Sequence, residues 1–355
     1  MLRVLVGSLT WETAVMRDLR LLPKAHLHLH FTGSMRPSTV AELAAVYGIR
    51  LPEGVTSSQQ WRLPATSRGW FRFQRLYDAA RACVRGEADM RRVVREMVED
   101  DAAEGSWRLE FQVDPTSYAP FVGGITPALE IVLDEAKIAA RQWGVSVGVV
   151  VASSRMRHPL EARTLARLAT RYAGDGDGEV MGFGLSNDER RGRTSEFEHA
   201  FRLARRAGLA SVPHGGELLG ADHVEVVVSQ LAPNRLGHGV RAVEDRRVLD
   251  ELVRSGIALE VNPASNVRLG VYDSDEDVPL ASLIGAGATI ALGADDPLLF
   301  KSRLVAQYES ARMVHGLSDE QLAHLARSSF DASFAPPAVR ERAVAEIDAW
   351  LARGA

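Results

Sequence analysis

Short apolar runs rich in β-branched residues alternate along this chain with longer stretches whose apolar positions recur every three to four residues. The short runs have strand length and the long ones helical period, so the alternation specifies a repeating strand–helix fold. The spacing predicts strands over Lys24–Phe31, Trp107–Val113, Val145–Val151, Glu179–Leu185, Gly208–Pro213, Arg235–Gly237, Ile257–Val261 and Thr289–Leu292. Amphipathic helices are expected between them, over Met90–Glu104, Pro127–Trp143, Pro159–Tyr172, Ser195–Ala207, His223–Leu231 and Glu244–Ser255. Eight strands separated by helices imply an α/β fold, a parallel (β/α)8 barrel of the TIM type with its helices outside. The stretch 37–85 is longer than a normal connection and reads as a helical cap inserted after the first strand, over one barrel mouth. Residues 318–353 read as extra C-terminal helices. The expectation is one barrel domain over residues 16–355. Residues 1–15 hold one early arginine, Arg3, and an apolar stretch that Glu12 interrupts. That is too weak for a secretory signal, and the segment reads as an extension the fold does not need.

Composition narrows the class. The 355 residues carry 42 Lys+Arg against 46 Asp+Glu, a formal charge of -4, with 46% hydrophobic residues. Such a chain is globular, and its slight acidity argues against nucleic acid as a partner. No apolar run reaches the roughly 20 residues of a membrane span. Cys83 is the single cysteine. It excludes an internal disulfide and a cysteine-based zinc cage, and it suits a reducing, cytoplasmic setting.

The chemistry begins with His26, His28 and His30, at every second position of the first predicted strand. Residues two apart on a strand share a face, so this spacing puts three imidazoles on one side and Leu27, Leu29 and Phe31 on the other. In a barrel, reacting groups collect at the C-terminal strand ends. The fifth strand ends in Pro213-His214-Gly215-Gly216-Glu217, the sixth in Leu236-Gly237-His238-Gly239 and the eighth in Leu292-Gly293-Ala294-Asp295-Asp296-Pro297. Each alone has a plain structural reading, a core histidine or a turn. Placed together at four strand ends they point to one site. Three nitrogens and one carboxylate suit a catalytic zinc that keeps a position for water.

These motifs together resemble the adenosine deaminase family of metal-dependent amidohydrolase barrels, from Leu22 to about Ala335. The family's opening motif corresponds to Pro23–Gly33, and its HxGE, GHG, PxSN and DDP motifs to His214–Glu217, Gly237–Gly239, Pro263–Asn266 and Asp295–Pro297. The resemblance implies one Zn2+ per chain on His28, His30, His214 and Asp295. His26 stands where the family often has Glu and is left outside that set. The resemblance further implies that Glu217 donates a proton to purine N1, while His238 and Asp295 orient the attacking water from opposite sides. Asp296 is the implied partner of N7. The main-chain N–H at Asn187 is the implied contact to N3, although Gly184–Glu189 departs from the family's Asp-Leu-Ala-Gly-Asp-Glu.

A second departure bears on the substrate. Adenosine-specific members carry an aspartate for the ribose 5′-hydroxyl where this chain has Thr32. Gln112 likewise replaces a common arginine. Thr32 is uncharged and tolerates an anionic group at the 5′ end. The expected 5′-side contacts are Arg68 and Arg72, in an arginine- and aromatic-rich stretch of the cap, with Arg155 and Arg157 past the third strand. An arginine fork there can hold a carboxylate. The favoured substrate is therefore 6-aminodeoxyfutalosine of menaquinone biosynthesis, a 6-aminopurine nucleoside with a carboxyphenyl ketone on its 5′ side. Adenosine is the main alternative, followed by free adenine. A further alternative is a metal-dependent amide or ester hydrolase on the same barrel. The usual bridging lysine of two-metal members is missing from the fourth predicted strand, which argues for one metal. A binding protein without catalysis would not need the full His, Glu and Asp set.

Overall fold

The structure, a computed structural model, describes residues 16–353; the N-terminal extension over residues 1–15 lies outside the described residues. Eight strands run in chain order around one sheet: β1 (Lys24–His30), β2 (Ser106–Val113), β3 (Ser146–Ser154), β4 (Glu179–Ser186), β5 (Ala210–Gly215), β6 (Arg235–His238), β7 (Ala258–Val261) and β8 (Ile290–Leu292). Every neighbouring pair is parallel. A bridge between Leu29 and Asp295 brings the first and last strands together, with His30 N–H donating to Asp295 O at 3.1 Å and Asp295 N–H to His28 O at 3.0 Å. The expected (β/α)8 barrel is thus the observed one, and the closing bonds pass through three of the candidate site residues.

Strand limits differ from expectation at the C-terminal ends. β3 continues past Val151 to Ser154 because its polar residues still pair, Ser153 with Leu185 and Ser154 with Ser186. β5 and β6 take in His214, Gly215 and His238. Ladder pairing is a backbone property, so a polar residue ends the apolar run before it ends the strand. The stretch 37–85 holds two helices, α1 (Pro37–Val46) and α2 (Ser67–Arg81), joined by an irregular connection. Thr66 caps α2 by accepting from Gly69 N–H at 3.2 Å. Phe73 anchors it to the barrel by stacking on Phe300, with ring centroids 5.5 Å apart. α3 (Glu87–Ala103) follows and returns the chain to β2. At the opposite end, the helix Asp319–Ala332 satisfies two strand donors: Ser329 Oγ accepts from Ala25 N–H at 2.9 Å and Ser328 Oγ from Ile290 N–H at 2.8 Å. Among the described residues no helix is long and apolar enough to cross a membrane.

The barrel interior is unusual in its charge. Arg108 Nε bonds Glu110 Oε1 at 2.9 Å, and Glu110 Oε2 meets Arg235 Nη1 at 2.7 Å. Arg235 Nε bonds Glu260 Oε1 at 2.6 Å, and Glu260 Oε2 meets His28 Nδ1 at 2.7 Å. All five side chains are fully buried. A lone buried charge costs several kcal/mol, and here each is offset by a neighbour of opposite sign. A small apolar cluster of Val150, Met181, Ala210 and Val212, separate from the main core, lines the β3–β5 side.

Candidate active site

The ladder of charge ends in a cluster of imidazoles. The ligand atoms of His28, His30 and His214 lie within 4.8 Å of one another, as do those of His28, His238 and Asp295. Asp295 Oδ1 stands 3.4 Å from His28 Nε2 and 3.1 Å from His30 Nε2, and Ser265 Oγ donates to Asp295 Oδ2 at 2.7 Å. His238 Nε2 lies 3.6 Å from Glu217 Oε1 and 3.9 Å from Asp295 Oδ2. The packing needs glycine beside it. A Cβ on Gly237 would fall 2.9 Å from His28 Cε1 and 3.1 Å from His214 Nδ1, and one on Gly33 would fall 1.7 Å from Asp296 Oδ1. Asn187, His238 and Asp295 hold φ of 79°, 68° and 59° without being glycine. Left-handed backbone of this kind is strained and concentrates at functional sites.

The cluster fits a metal ion. Its ring donating Nδ1–H to Glu260, His28 turns its other nitrogen, Nε2, into the cluster, where it has no hydrogen-bond partner among the described residues. Burial opposes a charge on His28, yet the Asp295 carboxylate, 3.4 Å from Nε2, and the Glu260 carboxylate bonded to Nδ1 raise its pKa to about 10. The two carboxylates thus call for a cation, and a metal at Nε2 answers that as a proton would. Burial and the neighbouring imidazoles hold His214 well below its usual range, which leaves its ring neutral with a lone pair to give. Burial raises Asp295, but the close imidazoles of His28 and His30 outweigh it and hold the group well below the usual carboxylate range.

The remaining acids are driven the other way. Burial, then the charges of Asp295 and Glu189, push Glu217 well above the usual carboxylate range. Burial and Asp295 do the same to Asp296, whose Oδ1 is buried without a partner among the described residues. Burial, then His28, lowers His238 to about 3, so it is a neutral base. A protonated acid, a second protonated acid and a neutral imidazole around one set of metal ligands is an arrangement built for proton transfer.

One cavity of about 360 Å³ opens onto this cluster and is lined by His30, His214, Glu217, His238, Asp295, Asp296, Asn187 and Thr32 among others. His26 does not join it. The β1–β2 register shifts between His26 and Leu29, and the His26 ring turns to Asp101 of α3 at 2.8 Å while Nε2 accepts from Ala294 N–H at 3.0 Å. The three histidines therefore do not share one environment, because strand alternation breaks at that irregularity.

Three of the expected 5′-side residues lie outside the cavity lining. Arg68 and Arg72 are exposed on the far face of α2. The lining face carries Ser67, Trp70, Phe71, Gln74, Tyr77, Asp78 and Arg81. Those positions step by three and four, and 68 and 72 fall between the steps. Arg155 is buried and serves the protein itself, donating Nη2–H to His214 O at 2.8 Å and Nη1–H to Thr194 Oγ1 at 3.2 Å. Arg157, the fourth expected residue, does line the cavity, together with Arg81 and Arg191, which were not expected. Thr32 lines it too, but its hydroxyl is engaged with Tyr118 Oη at 2.6 Å. Gln112 lines it with both amide atoms unpartnered among the described residues.

Sequence reasoning passed over Glu260, Ser265, Glu189 and Tyr118. Glu260 had a signal: it is a lone charge between Leu259 and Val261 in a short apolar strand. The alternation Arg108, Glu110, Gln112 along β2 was a second one. Tyr118 follows β2 in a short turn and carried no pattern that marks it.

The comparisons with known proteins agree with this geometry. The family model described as adenosine deaminase matches residues 23–350. A Streptomyces virginiae protein, named provisionally as an adenosine/adenine deaminase, is 58% identical over 336 residues, covering 94% of this chain and 98% of its own. The crystal structure of adenine deaminase from Arthrobacter aurescens superposes with a TM-score of 0.85 at 28% identity, over 94% of this chain and all (100%) of that one. An N6-methyl-AMP deaminase from Arabidopsis thaliana does so at 0.79 and 25% identity, over 93% and 97%. An amidohydrolase from Burkholderia ambifaria with bound Zn shares the fold at 0.83 and 23% identity, over 96% of each chain. This chain belongs to the adenosine deaminase family, metal-dependent hydrolases that act on C–N bonds.

Proposed function

We propose that the protein hydrolyses the 6-amino group of a purine nucleoside to the 6-oxo product and ammonia, with 6-aminodeoxyfutalosine as the favoured substrate. His28, His30, His214 and Asp295 would hold one zinc ion. Bound there, the metal supplies a Lewis acid that makes water a nucleophile near neutral pH. Residues 37–85 act as a cap on a single barrel domain.

The chain's own groups then divide the proton traffic. Glu217, kept protonated by burial, donates to N1 as water oxygen adds to C6 and charge builds on the ring. Neutral His238, 3.6 Å from Glu217, takes the proton that the attacking water gives up. Asp296, also protonated, donates to N7 and fixes the ring's register. Asn187, just past β4, lines the cavity, and its main-chain N–H is assigned to N3. The amine takes the proton held by His238 and leaves as ammonia as the C6–N bond breaks, and the remaining hydroxyl proton is released as the 6-oxo group forms and restores the Glu217 acid. The observation that carries this reading is Glu217: a buried acid in the same cavity as the imidazole cluster, beside a neutral base.

The 5′ side rests on the mouth. The Thr32 hydroxyl shares one hydrogen bond with Tyr118 Oη and, being uncharged, is a weaker anchor for a free 5′-hydroxyl than a carboxylate. Elsewhere the lining carries Trp70, Phe71 and Tyr77, and the arginines Arg81, Arg157 and Arg191 beside Asp78, Asp114 and Asp188. Arg81, paired with Asp78, is partly neutralised, and Arg157 and Arg191 are the cations left for an anionic group. Phe71 and Met156 are 69% and 54% exposed while lining the cavity, which an aromatic substituent would cover. The Arabidopsis relative is named for a substrate with a 5′-phosphate, so an anionic 5′ end has a parallel in this fold.

The test is ammonia release by the zinc-loaded protein on adenine, adenosine and 6-aminodeoxyfutalosine, each against Glu217→Gln. The extended nucleoside is expected to win by at least about tenfold in kcat/KM, roughly 1.4 kcal/mol. Glu217→Gln is expected to lower kcat by about 10² to 10⁴. Preference for adenine or adenosine sinks the 5′-side argument and leaves the deaminase reading standing. A fully active Glu217→Gln sinks the assigned proton donor.

A further inference from the structure

Past Gly215 the chain leaves β5 and runs to residue 219 without helix or strand pairing. Its backbone N–H groups still need acceptors in a buried setting. They find a single carboxylate. Glu189 accepts through Oε1 from Gly216 N–H at 2.6 Å and His223 Nδ1–H at 2.8 Å. Through Oε2 it accepts from the N–H groups of Glu217, Leu218 and Leu219 at 3.1, 2.7 and 2.8 Å. Burial would raise this carboxyl, but the bonds from His223 and the backbone hold it at about 2. A second set of contacts tightens the same turn. Arg155 donates to His214 O and Thr194 Oγ1, and Thr194 Oγ1 lies 3.3 Å from His223 Nε2. Four elements of sequence, around residues 155, 189, 194 and 223, thus close on one short run of backbone.

Glu217 is in the middle of that run, and its own N–H is one of the bonds to Glu189. Its carboxyl stands in the cavity beside His238. Proton donation to a ring nitrogen needs a heavy-atom distance of about 2.6–3.2 Å, and a displacement of about 1 Å can cost roughly 10²-fold. We propose that Glu189 is a positioning residue for the reaction, fixing Glu217 in register with the purine through the backbone of residues 216–219. The inference rests on the proton-donor role given to Glu217 above. The simpler account is that Glu189 only satisfies buried N–H groups and so supports the fold.

A double-mutant cycle separates the two. Glu189→Gln keeps the side-chain volume but turns one acceptor oxygen into a donor that opposes the converging N–H groups. It is expected to lower kcat by about 30- to 100-fold while KM stays within about threefold. Metal content should be unchanged. Placed on Glu217→Gln, the same substitution is expected to change kcat by less than about threefold, because the group it positions is already gone. His223→Ala, which removes one of the five donors at a part-exposed position, should show a smaller loss of about five- to tenfold that vanishes on Glu217→Gln. This milder variant decides the matter if Glu189→Gln does not fold. A loss that persists in full on the Glu217→Gln background, or one in which KM and metal content move with kcat, overturns the positioning role. Unchanged kcat in both single variants overturns it as well. A fully active Glu217→Gln would instead bring down the donor assignment itself, and the positioning role with it.

Discussion

The two ends of the substrate cavity are built on different principles. At its floor, most candidate side chains are buried and several are tied to a neighbour: His28 to Glu260, Asp295 to Ser265, the Glu217 turn to Glu189. At its mouth, Phe71, Met156, Arg157 and Arg191 stand exposed along the lining. The floor's hydrogen bonds are in place without a ligand, the arrangement that electrostatic catalysis uses. The mouth acquires its contacts only when a substrate covers it. On the function proposed above, the chemistry falls to the barrel strands and the choice among purines to α2 and the loop after β3.

The strongest way to break this contrast is to loosen the floor from below. Glu260→Gln removes the charge that orients His28 and leaves Arg235 with one carboxylate fewer. Loss of such a support behind a metal ligand costs about 10- to 100-fold in metal affinity or activity. Breaking a buried ion pair also lowers stability by about 3–5 kcal/mol. Both should fall together, read as zinc dissociation against a competing chelator and as a thermal midpoint. A variant with wild-type metal affinity would mean that the ladder of charge supports the barrel alone.

At the mouth the expected effect is smaller and selective. Arg157 makes only a long contact to Glu161, 3.7 Å, and half (51%) of its side chain is exposed. With Arg157→Ala, kcat/KM for an acidic 5′-extended nucleoside should fall by about tenfold, the scale of one charge-assisted hydrogen bond. Adenosine should change by less than about twofold. Equal losses on both substrates would place Arg157 in folding or loop order and would erase the distinction between floor and mouth.

The same contrast explains what could be read from the sequence. The floor was legible because a strand end is a one-dimensional address: His214, His238 and Asp295 each follow an apolar run, and parallel closure must bring those ends together. The break at His26 was not legible, since a register shift depends on the partner strand. Nor was the charged ladder, because Arg108, Glu110, Arg235 and Glu260 lie on three strands and only barrel closure makes them neighbours. The mouth was least legible. Part of it sits on α2, which packs on the barrel through Phe73 on Phe300, a contact more than two hundred residues apart in the chain, and part on the loops after β3 and β4.

The rotation of α2 about its axis gives the smallest and most diagnostic expected effect. A composition of arginines and aromatics in α2 says nothing about which face meets the cavity. The structure does: Phe73 points to the barrel, Trp70, Gln74 and Tyr77 border the opening, and Arg68 and Arg72 face solvent. Arg68→Ala combined with Arg72→Ala should leave kcat/KM within about twofold on every substrate and stability nearly unchanged, as for ordinary surface positions. Salt dependence of KM should also be unaltered, because charges on the far side of a helix are screened from the cavity within about 10 Å at 0.1 M salt. A drop confined to acidic substrates would show that α2 turns about its axis when they bind. In that case the mouth is formed by the ligand, and the lining assigned to Trp70, Gln74 and Tyr77 describes only the open state.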